Sequence, residues 1–180
     1  MNPDLPERFY LTGTDTDVGK TVTAALLCAA FDLDYWKPVQ AGDQGETDTQ
    51  LVRRLSGARI YPERYCLKRA ASPHAASSDE DIRISCEDFE LPDAKRLVVE
   101  GAGGFMVPYA TDPLMWQSAL MKHLALPTVV VARSGLGTLN HTFLTLRALE
   151  ADGLACSGLI LIGPKHIENA RDLQAYGNVP

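Results

Sequence analysis

Short, uninterrupted apolar runs alternate along this chain with stretches in which apolar residues recur at helical spacing. Five of the runs are rich in β-forming residues, and they lie at residues 9–11, 35–36, 97–99, 128–132 and 159–162. Runs this uniformly apolar are typical of strands buried on both faces, as in a parallel sheet. The alternation of strands and helices predicts a three-layer α/β fold with right-handed crossovers.

Apolar spacing predicts three helices between these strands. The first has an i, i+3, i+4, i+7, i+8 face made of Val22, Ala25, Leu26, Ala29 and Ala30. Leu51 and Leu55 predict a shorter helix that ends at Gly57. A third face, ending near Gly153, consists of Leu139, Phe143, Leu146 and Leu149.

Two segments depart from the alternation. Residues 69–92 have little periodicity and predict a long surface excursion that contains one short helix. Residues 165–176 have a helical pattern, and residues 177–180 are typical of the entry to another strand. No repeat or linker divides the sequence, so residues 1–180 are expected to form a single domain.

Composition and charge exclude several classes of protein. Of the 180 residues, 46% are apolar and 22% are charged, which argues against disorder and against a fibrous repeat. No apolar run reaches the ~18 residues of a membrane span, and no secretory signal precedes Phe9. The net charge of −6 argues against a basic nucleic-acid-binding face. Four scattered cysteines indicate reduced thiols, and we expect a cytoplasmic protein.

The strongest chemical signal is the segment GTDTDVGKT, from Gly13 to Thr21. It follows an apolar strand and opens a helix, which is the setting of a phosphate-binding loop. Lys20 would reach the β- and γ-phosphates, and the Thr21 hydroxyl would bind Mg²⁺. Five residues separate Gly13 from Gly19, one more than in the standard pattern. The alternative is a glycine-rich turn that only starts a helix.

Three more residues are candidates for the same site. Glu100 ends the third apolar run, so a parallel sheet would place it at the edge that carries the phosphate loop. It could bind the metal or cap nearby backbone N–H groups. Asp48 could be a further metal ligand or an N-terminal helix cap. Lys37 could neutralise charge on a transferring phosphoryl group, or it could point into water.

Some polar residues have no clear partner in the sequence. His74 and His141 are more simply explained as structural residues than as catalytic bases. Arg133 and residues 134–137 follow a strand and precede a helix, so they could bind an anion or form a plain turn.

Together these pieces resemble the dethiobiotin synthetase family, the ATP-dependent carboxylases of biotin biosynthesis. Five segments match in the family's order, namely residues 13–21, 37–39, 72–74, 100–104 and 139–141. The longer phosphate loop is itself typical of that family. The resemblance implies a P-loop NTPase fold with a mainly parallel sheet.

The same resemblance implies a homodimeric, Mg²⁺-dependent enzyme whose substrates are ATP, CO₂ and 7,8-diaminononanoate. One amine takes up CO₂ as a carbamate, and the carbamate receives the γ-phosphoryl group of ATP. The second amine attacks this mixed anhydride, which closes the ring of dethiobiotin and releases phosphate. The substrate supplies both nucleophiles, so no protein nucleophile is expected.

Residue by residue, Lys37 matches the catalytic lysine of the family, and Lys20 is expected to act on the same phosphoryl group. The implied magnesium ligands are Thr21, Asp48 and Glu100. The implied nucleotide-binding residues are Asp17, Val18, Gly19, Lys20, Thr21, Val22, Asp48, Glu100 and Gly103. The implied substrate-binding residues are Thr16, Lys37, Ala41, Gly103 and Asn140. In the family, the helix that begins near Asn140 reaches across the dimer to the carboxylate of the substrate.

The chain departs from the family pattern at the substrate and base ends of the site. Ala41 stands where the family usually has a serine that helps to hold substrate. Ile162 and Gly163 stand where the family often has an asparagine that reads adenine. The family also continues with a base-contacting loop, whereas nothing follows Pro180. Loose base selectivity is therefore expected.

Two other functions fit a phosphate-binding loop. One is a dimeric P-loop ATPase switch of the partitioning or metal-cluster-delivery type, which typically has a second lysine inside the loop. This chain has Asp15 and Asp17 in the loop, which favours a site that binds an amine substrate. The other is a nucleotide-binding protein without turnover.

Overall fold

A parallel sheet forms the centre of the computed structural model, which describes residues 5–177 and Val179. The strands in these residues are β1 (Arg8–Gly13), β2 (Asp34–Trp36), β3 (Val39–Ala41), β4 (Ile60–Tyr61), β5 (Tyr65–Leu67), β6 (Leu97–Glu100), β7 (Pro108–Thr111), β8 (Leu114–Trp116), β9 (Thr128–Arg133) and β10 (Cys156–Ile162). The α-helices in the same residues are α1 (Lys20–Phe31), α2 (Asp48–Ser56), α3 (Pro73–Asp79), α4 (Gln117–Leu124), α5 (Thr138–Ala151) and α6 (Ile167–Tyr176).

The order of the strands brings the predicted chemistry to one edge of the sheet. The central sheet has the order β10-β9-β1-β6-β2-β4, and its neighbouring strands are all parallel. The ends of β1, β6 and β2 therefore lie side by side, and these ends carry the phosphate loop, Glu100 and Lys37. All five predicted strands are present. A parallel β3–β5 pair and an antiparallel β7–β8 pair lie outside this sheet.

Alternate side chains of the sheet face two separate cores, as the pleat of a strand requires. Phe9 and Leu11 pack with residues of α1 and α2, whereas Tyr10 packs with residues of α4 and α5. Helices therefore cover both faces of the sheet. The predicted three-layer α/β fold is confirmed.

The first helix buries a different face from the predicted one. Val22 and Leu26 are exposed, as are Ala29 and Ala30, whereas Thr23, Ala24 and Cys28 face the sheet together with Ala25. These small side chains let the backbone of α1 lie close to the strands. Side-chain bulk therefore does not mark the buried side of this helix, and the predicted apolar face was wrong.

The other predicted helices are present, with smaller differences. Helix α2 ends at Gly57, which has a left-handed φ of 70°. In α5, Leu149 is buried but Leu139, Phe143 and Leu146 are only half-buried, and Thr138, Thr142 and Thr145 form the rest of the buried side.

The excursion after residue 68 contains α3 and one turn of 3-10 helix at Cys86–Asp88. Its inner side is packed into the core through Ala76, Ile84 and Phe89.

Helix α6 confirms the C-terminal helical pattern, but the further strand predicted at residues 177–180 falls partly outside the described residues. Within the described part of the chain, none of the helices combines the length and the apolar character that a membrane span requires.

Candidate active site

The loop between β1 and α1 folds tightly around its own lysine. Gly19 precedes α1 with a φ of 99°, which favours glycine. A Cβ on Gly13 would lie 2.7 Å from Cγ2 of Val18, so only glycine fits there. The Nζ of Lys20 donates a 3.0 Å hydrogen bond to the backbone oxygen of Asp15. Burial lowers the pKa of Lys20, and the negative charge of Glu100 partly offsets this effect.

One hydroxyl and two carboxylates meet beside this loop. The Oγ1 of Thr21 lies 3.0 Å from Oδ1 of Asp48 and 2.9 Å from Oε1 of Glu100. Among the residues the structure describes, no three or more His, Cys, Asp or Glu side chains form a self-sufficient metal cluster. Two carboxylates and a hydroxyl instead suit Mg²⁺, which keeps waters and phosphate oxygens as its other ligands. The donor set therefore fits a metal that arrives with a nucleotide.

Lys37 is buried against the same two carboxylates. Its Nζ lies 2.5 Å from Oδ2 of Asp48 and 3.0 Å from Oε1 of Glu100, and the residue is 4% exposed. Burial alone would lower the pKa of Lys37, but the two carboxylates outweigh burial and hold this pKa above its ordinary value. Likewise, burial would raise the pKa of Asp48, but Lys37 holds it below its ordinary value. The alternative of a lysine that points into water is wrong.

The carboxylates of Asp48 and Glu100 bind side chains, rather than capping a helix or nearby backbone N–H groups. Thr47 caps α2, because its side chain accepts from the Gln50 N–H and the Gln50 side chain accepts from the Thr47 N–H. Asp48 is the first residue of α2, and its carboxylate points at Thr21 and Lys37. The helix-cap alternative for Asp48 is therefore wrong. Glu100 is likewise held by side chains, including the Tyr35 hydroxyl at 2.9 Å from Oε2.

A cavity of about 750 Å³ opens over these groups. The predicted site residues that line it are Thr16, Asp17, Gly19, Lys20, Thr21, Val22, Lys37, Ala41, Asp48, Glu100 and Gly103. Two predicted residues lie elsewhere. The Val18 side chain is buried in the core under the loop, and Asn140 is exposed on the first turn of α5. Within one subunit, Asn140 is therefore not part of this cavity.

Sequence reasoning missed part of the wall of the cavity. The missed lining residues are Gln40, Leu51, Ala70, Ala71, Ser72, Pro73, Ala102 and Val107. Four of these, residues 70–73, come from the start of the excursion and include the first residue of α3. Ser72 and Pro73 belong to segment 72–74, and the place of this segment in the family's order of motifs was the available signal.

A family model described as an AAA domain matches residues 7–180. The ATP-dependent dethiobiotin synthetase BioD of Nitrobacter hamburgensis is 45% identical over an alignment 179 positions long, which covers 97% of this chain and 84% of that protein. The enzyme of the same name from Rhodopseudomonas palustris is 46% identical over 98% of this chain and 84% of its own length. The chain belongs to the dethiobiotin synthetase family. The relative from Lawsonia intracellularis is more distant, with 39% identity over 94% of this chain and 83% of its own length.

Membership of the dethiobiotin synthetase family confirms the resemblance and, together with the parallel sheet, the P-loop NTPase fold. Two of the departures from the family pattern lie near the cavity. Ala41 lines it, and its side chain has no polar group to offer a substrate. Ile162 ends β10, and its Cγ2 lies 3.3 Å from the position that a Cβ on Gly19 would occupy. An apolar side chain therefore packs against the phosphate loop at this point.

The remaining polar candidates lie outside the main cavity. The Nδ1 of His74 lies 3.3 Å from the backbone oxygen of Pro108, which fits the structural role. His141 is exposed on α5, where it borders a cavity of about 90 Å³ together with Arg133 and Asp15. The loop at residues 134–137 enters α5 through Gly137, whose φ is 91°.

Proposed function

We propose that this chain is an ATP-dependent dethiobiotin synthetase, which joins 7,8-diaminononanoate and CO₂ and releases ADP and phosphate. Membership of the family supports the overall reaction. The observation that carries the proposal to this chain is that both lysines, both carboxylates and the Thr21 hydroxyl line one cavity. These are groups for holding a triphosphate and stabilising its transfer.

The proposed reaction has three steps, and the substrate supplies each nucleophile. An amine attacks the carbon of CO₂, loses a proton and becomes a carbamate. A carbamate oxygen attacks the γ-phosphorus of ATP, and the bond from that phosphorus to ADP breaks. The second amine attacks the carbonyl carbon of the mixed anhydride, loses a proton and expels phosphate. The protein has to position these groups and neutralise charge, and the described site contains suitable groups for both tasks.

In this proposal Thr21, Asp48 and Glu100 hold Mg²⁺, which would neutralise charge on the β- and γ-phosphates when bound. Lys20 holds the ground-state triphosphate together with the N–H groups of the loop. Its hydrogen bond to the backbone oxygen of Asp15 holds the ammonium group against the loop.

Lys37 acts in the proposed reaction as a fixed positive charge. Its pKa lies above the ordinary lysine value, because the two carboxylates outweigh burial, so it remains an ammonium ion at neutral pH. It is therefore suited to stabilising charge on the carbamate and on the phosphoryl group in transit. It is unsuited to removing a proton from an amine.

The proposed active unit is a homodimer whose substrate site is shared between subunits. Support comes from the loop-side patch, defined as Met106, Leu136 and Leu144, three exposed apolar residues around the phosphate loop. Leu144 is 62% exposed and Met106 is 51% exposed. Asn140 lies one helical turn before Leu144 and therefore on the same side of α5. If a second subunit packs against this patch, Asn140 of one subunit can contact the substrate site of the other subunit.

The proposed location is the cytoplasm, where ATP is available. All four cysteines are free thiols, which suits a reducing compartment.

A phosphate-release assay tests the proposal. With Mg²⁺ and ATP, release should depend on both diaminononanoate and bicarbonate, and dethiobiotin should accumulate in equal amount. Release that needs neither addition would instead indicate an ATPase switch. Nucleotide binding without release under every condition would indicate a protein without turnover, and either result would overturn the proposal.

A further inference from the structure

Tyr35 lies directly beside the proposed metal site, although its sequence context marks it only as a core residue. Its side chain is fully buried in β2, on the face of the sheet that packs against α1 and α2. The hydroxyl donates a 2.9 Å hydrogen bond to Oε2 of Glu100. The other oxygen, Oε1, lies 2.9 Å from the Thr21 hydroxyl and 3.0 Å from the Lys37 ammonium.

We propose that Tyr35 is a positioning residue that fixes the rotation of the Glu100 carboxylate, so that Oε1 faces Thr21 and an incoming nucleotide. This inference rests on the proposed Mg²⁺ site. Glu100 is only 1% exposed, so water cannot readily replace the tyrosine as a donor to Oε2. A carboxylate held at both oxygens cannot turn without losing a hydrogen bond, which would leave a buried oxygen unpaired.

The Tyr35 side chain is chemically suited to this role, because a phenol hydroxyl is a hydrogen-bond donor that keeps its proton at neutral pH. Hydrogen-bond partners of this kind, which touch a metal ligand rather than the metal, typically contribute about 10-fold to 100-fold in metal affinity.

The test compares the affinity for a fluorescent ATP analogue at saturating Mg²⁺ with the affinity in EDTA. The ratio of the two affinities is the gain due to metal. Tyr35→Phe should lower this gain by about 10-fold or more and leave the affinity in EDTA unchanged. Tyr61→Phe is the matched control, because its hydroxyl donates to the Asp34 carboxylate at 3.1 Å on the neighbouring strand, outside the cavity. It should keep the full gain.

Glu100→Gln separates this inference from the proposed metal site. If Glu100→Gln keeps the full gain, the metal site itself is wrong. If Glu100→Gln abolishes the gain but Tyr35→Phe retains it, only the role of Tyr35 is wrong. Because Tyr35 is proposed to act through Glu100, Tyr35→Phe should have no further effect on the gain in a Glu100→Gln background. A merely structural role would instead lower the stability of the protein without changing the gain.

Discussion

The Nζ of Lys37 lies 3.0 Å from Oε1 of Glu100, and both side chains are almost completely buried. A charge in such a place is costly unless it is paired. The pair therefore keeps Lys37 positive and holds Glu100 in place before any nucleotide arrives. It joins the end of β2 to the end of β6, two neighbouring strands of the sheet.

The first prediction concerns the stability that this pair provides. Lys37→Met should lower the free energy of unfolding by about 3–5 kcal/mol, because it leaves Glu100 buried without its charge partner. Lys20→Met should lower the free energy of unfolding by less, because Lys20 donates to the backbone oxygen of Asp15, which can accept a hydrogen bond from another donor. Urea unfolding without nucleotide measures both variants. Equal losses of stability would contradict the special role of the Lys37–Glu100 pair.

The pH dependence gives a control for this measurement. The raised pKa of Lys37 means that its contribution is present below the ordinary lysine pKa and is lost only as the pH rises through the raised value. The lowered pKa of Asp48 means that its contribution is lost only as the pH falls below the ordinary range of Asp. The contribution of these two groups to the stability of the parent should therefore stay constant from about pH 6 to about pH 9.

The second prediction separates the two lysines in catalysis. Lys20→Ala should weaken nucleotide binding, because Lys20 is proposed to hold the ground-state triphosphate. Lys37→Ala should affect nucleotide affinity less than Lys20→Ala does, but it should lower turnover by about 10²- to 10³-fold, since Lys37 is proposed to act on developing charge. Nucleotide titrations and turnover assays decide the matter. Turnover at the parent rate in Lys37→Ala would refute its assignment.

The third prediction concerns the nucleotide base. Ile162 offers no hydrogen bond to adenine, and an apolar contact discriminates only weakly between bases. Competing nucleoside triphosphates should therefore support the reaction within about tenfold of one another. Ile162→Asn should increase the preference for ATP, whereas Ile167→Asn, an exposed change on α6, should not. A strong preference for ATP in the parent protein would mean that another part of the protein reads adenine.

The fourth prediction tests the proposed homodimer and its proposed shared site by mixing two variants. Lys37→Ala and Asn140→Trp should each be inactive alone. When they are mixed, one site of each mixed dimer draws Lys37 and Asn140 from unmutated positions, so up to half of that dimer's activity should return. Mixing Lys37→Ala with Lys20→Ala is the control, because both residues line the same cavity of one subunit. If subunit exchange is verified and activity returns in neither mixture, each active site is formed by residues of a single chain.

Most of the fold could be predicted from the sequence because strands buried on both faces leave uniformly apolar runs. Strand β4 was missed because it is only two residues long, Ile60 and Tyr61, and both are half-buried at the edge of the sheet. The buried face of α1 was assigned wrongly because small residues such as Ala24 pack there and larger ones such as Leu26 face outward.

The candidate site was predicted where a motif marked it and missed where only three-dimensional contact does. The phosphate loop and Glu100 follow apolar strands, so topology places them at one edge. The bond from Tyr35 to Glu100 joins residues 65 positions apart. Tyr35 lies within an apolar run. Nothing in that run distinguishes a tyrosine that donates a hydrogen bond to a carboxylate from one that only packs in the core.

The most direct test of the proposed reaction follows an oxygen atom. In the proposed mechanism, the carbamate oxygen that attacks the γ-phosphorus leaves with that phosphorus when the second amine attacks the carbonyl carbon. With fresh ¹⁸O-labelled CO₂, and before the label exchanges into water, each phosphate released should carry one ¹⁸O atom. Phosphate that carries an oxygen from water instead would mean that ATP is hydrolysed directly, which would contradict the proposed synthetase mechanism.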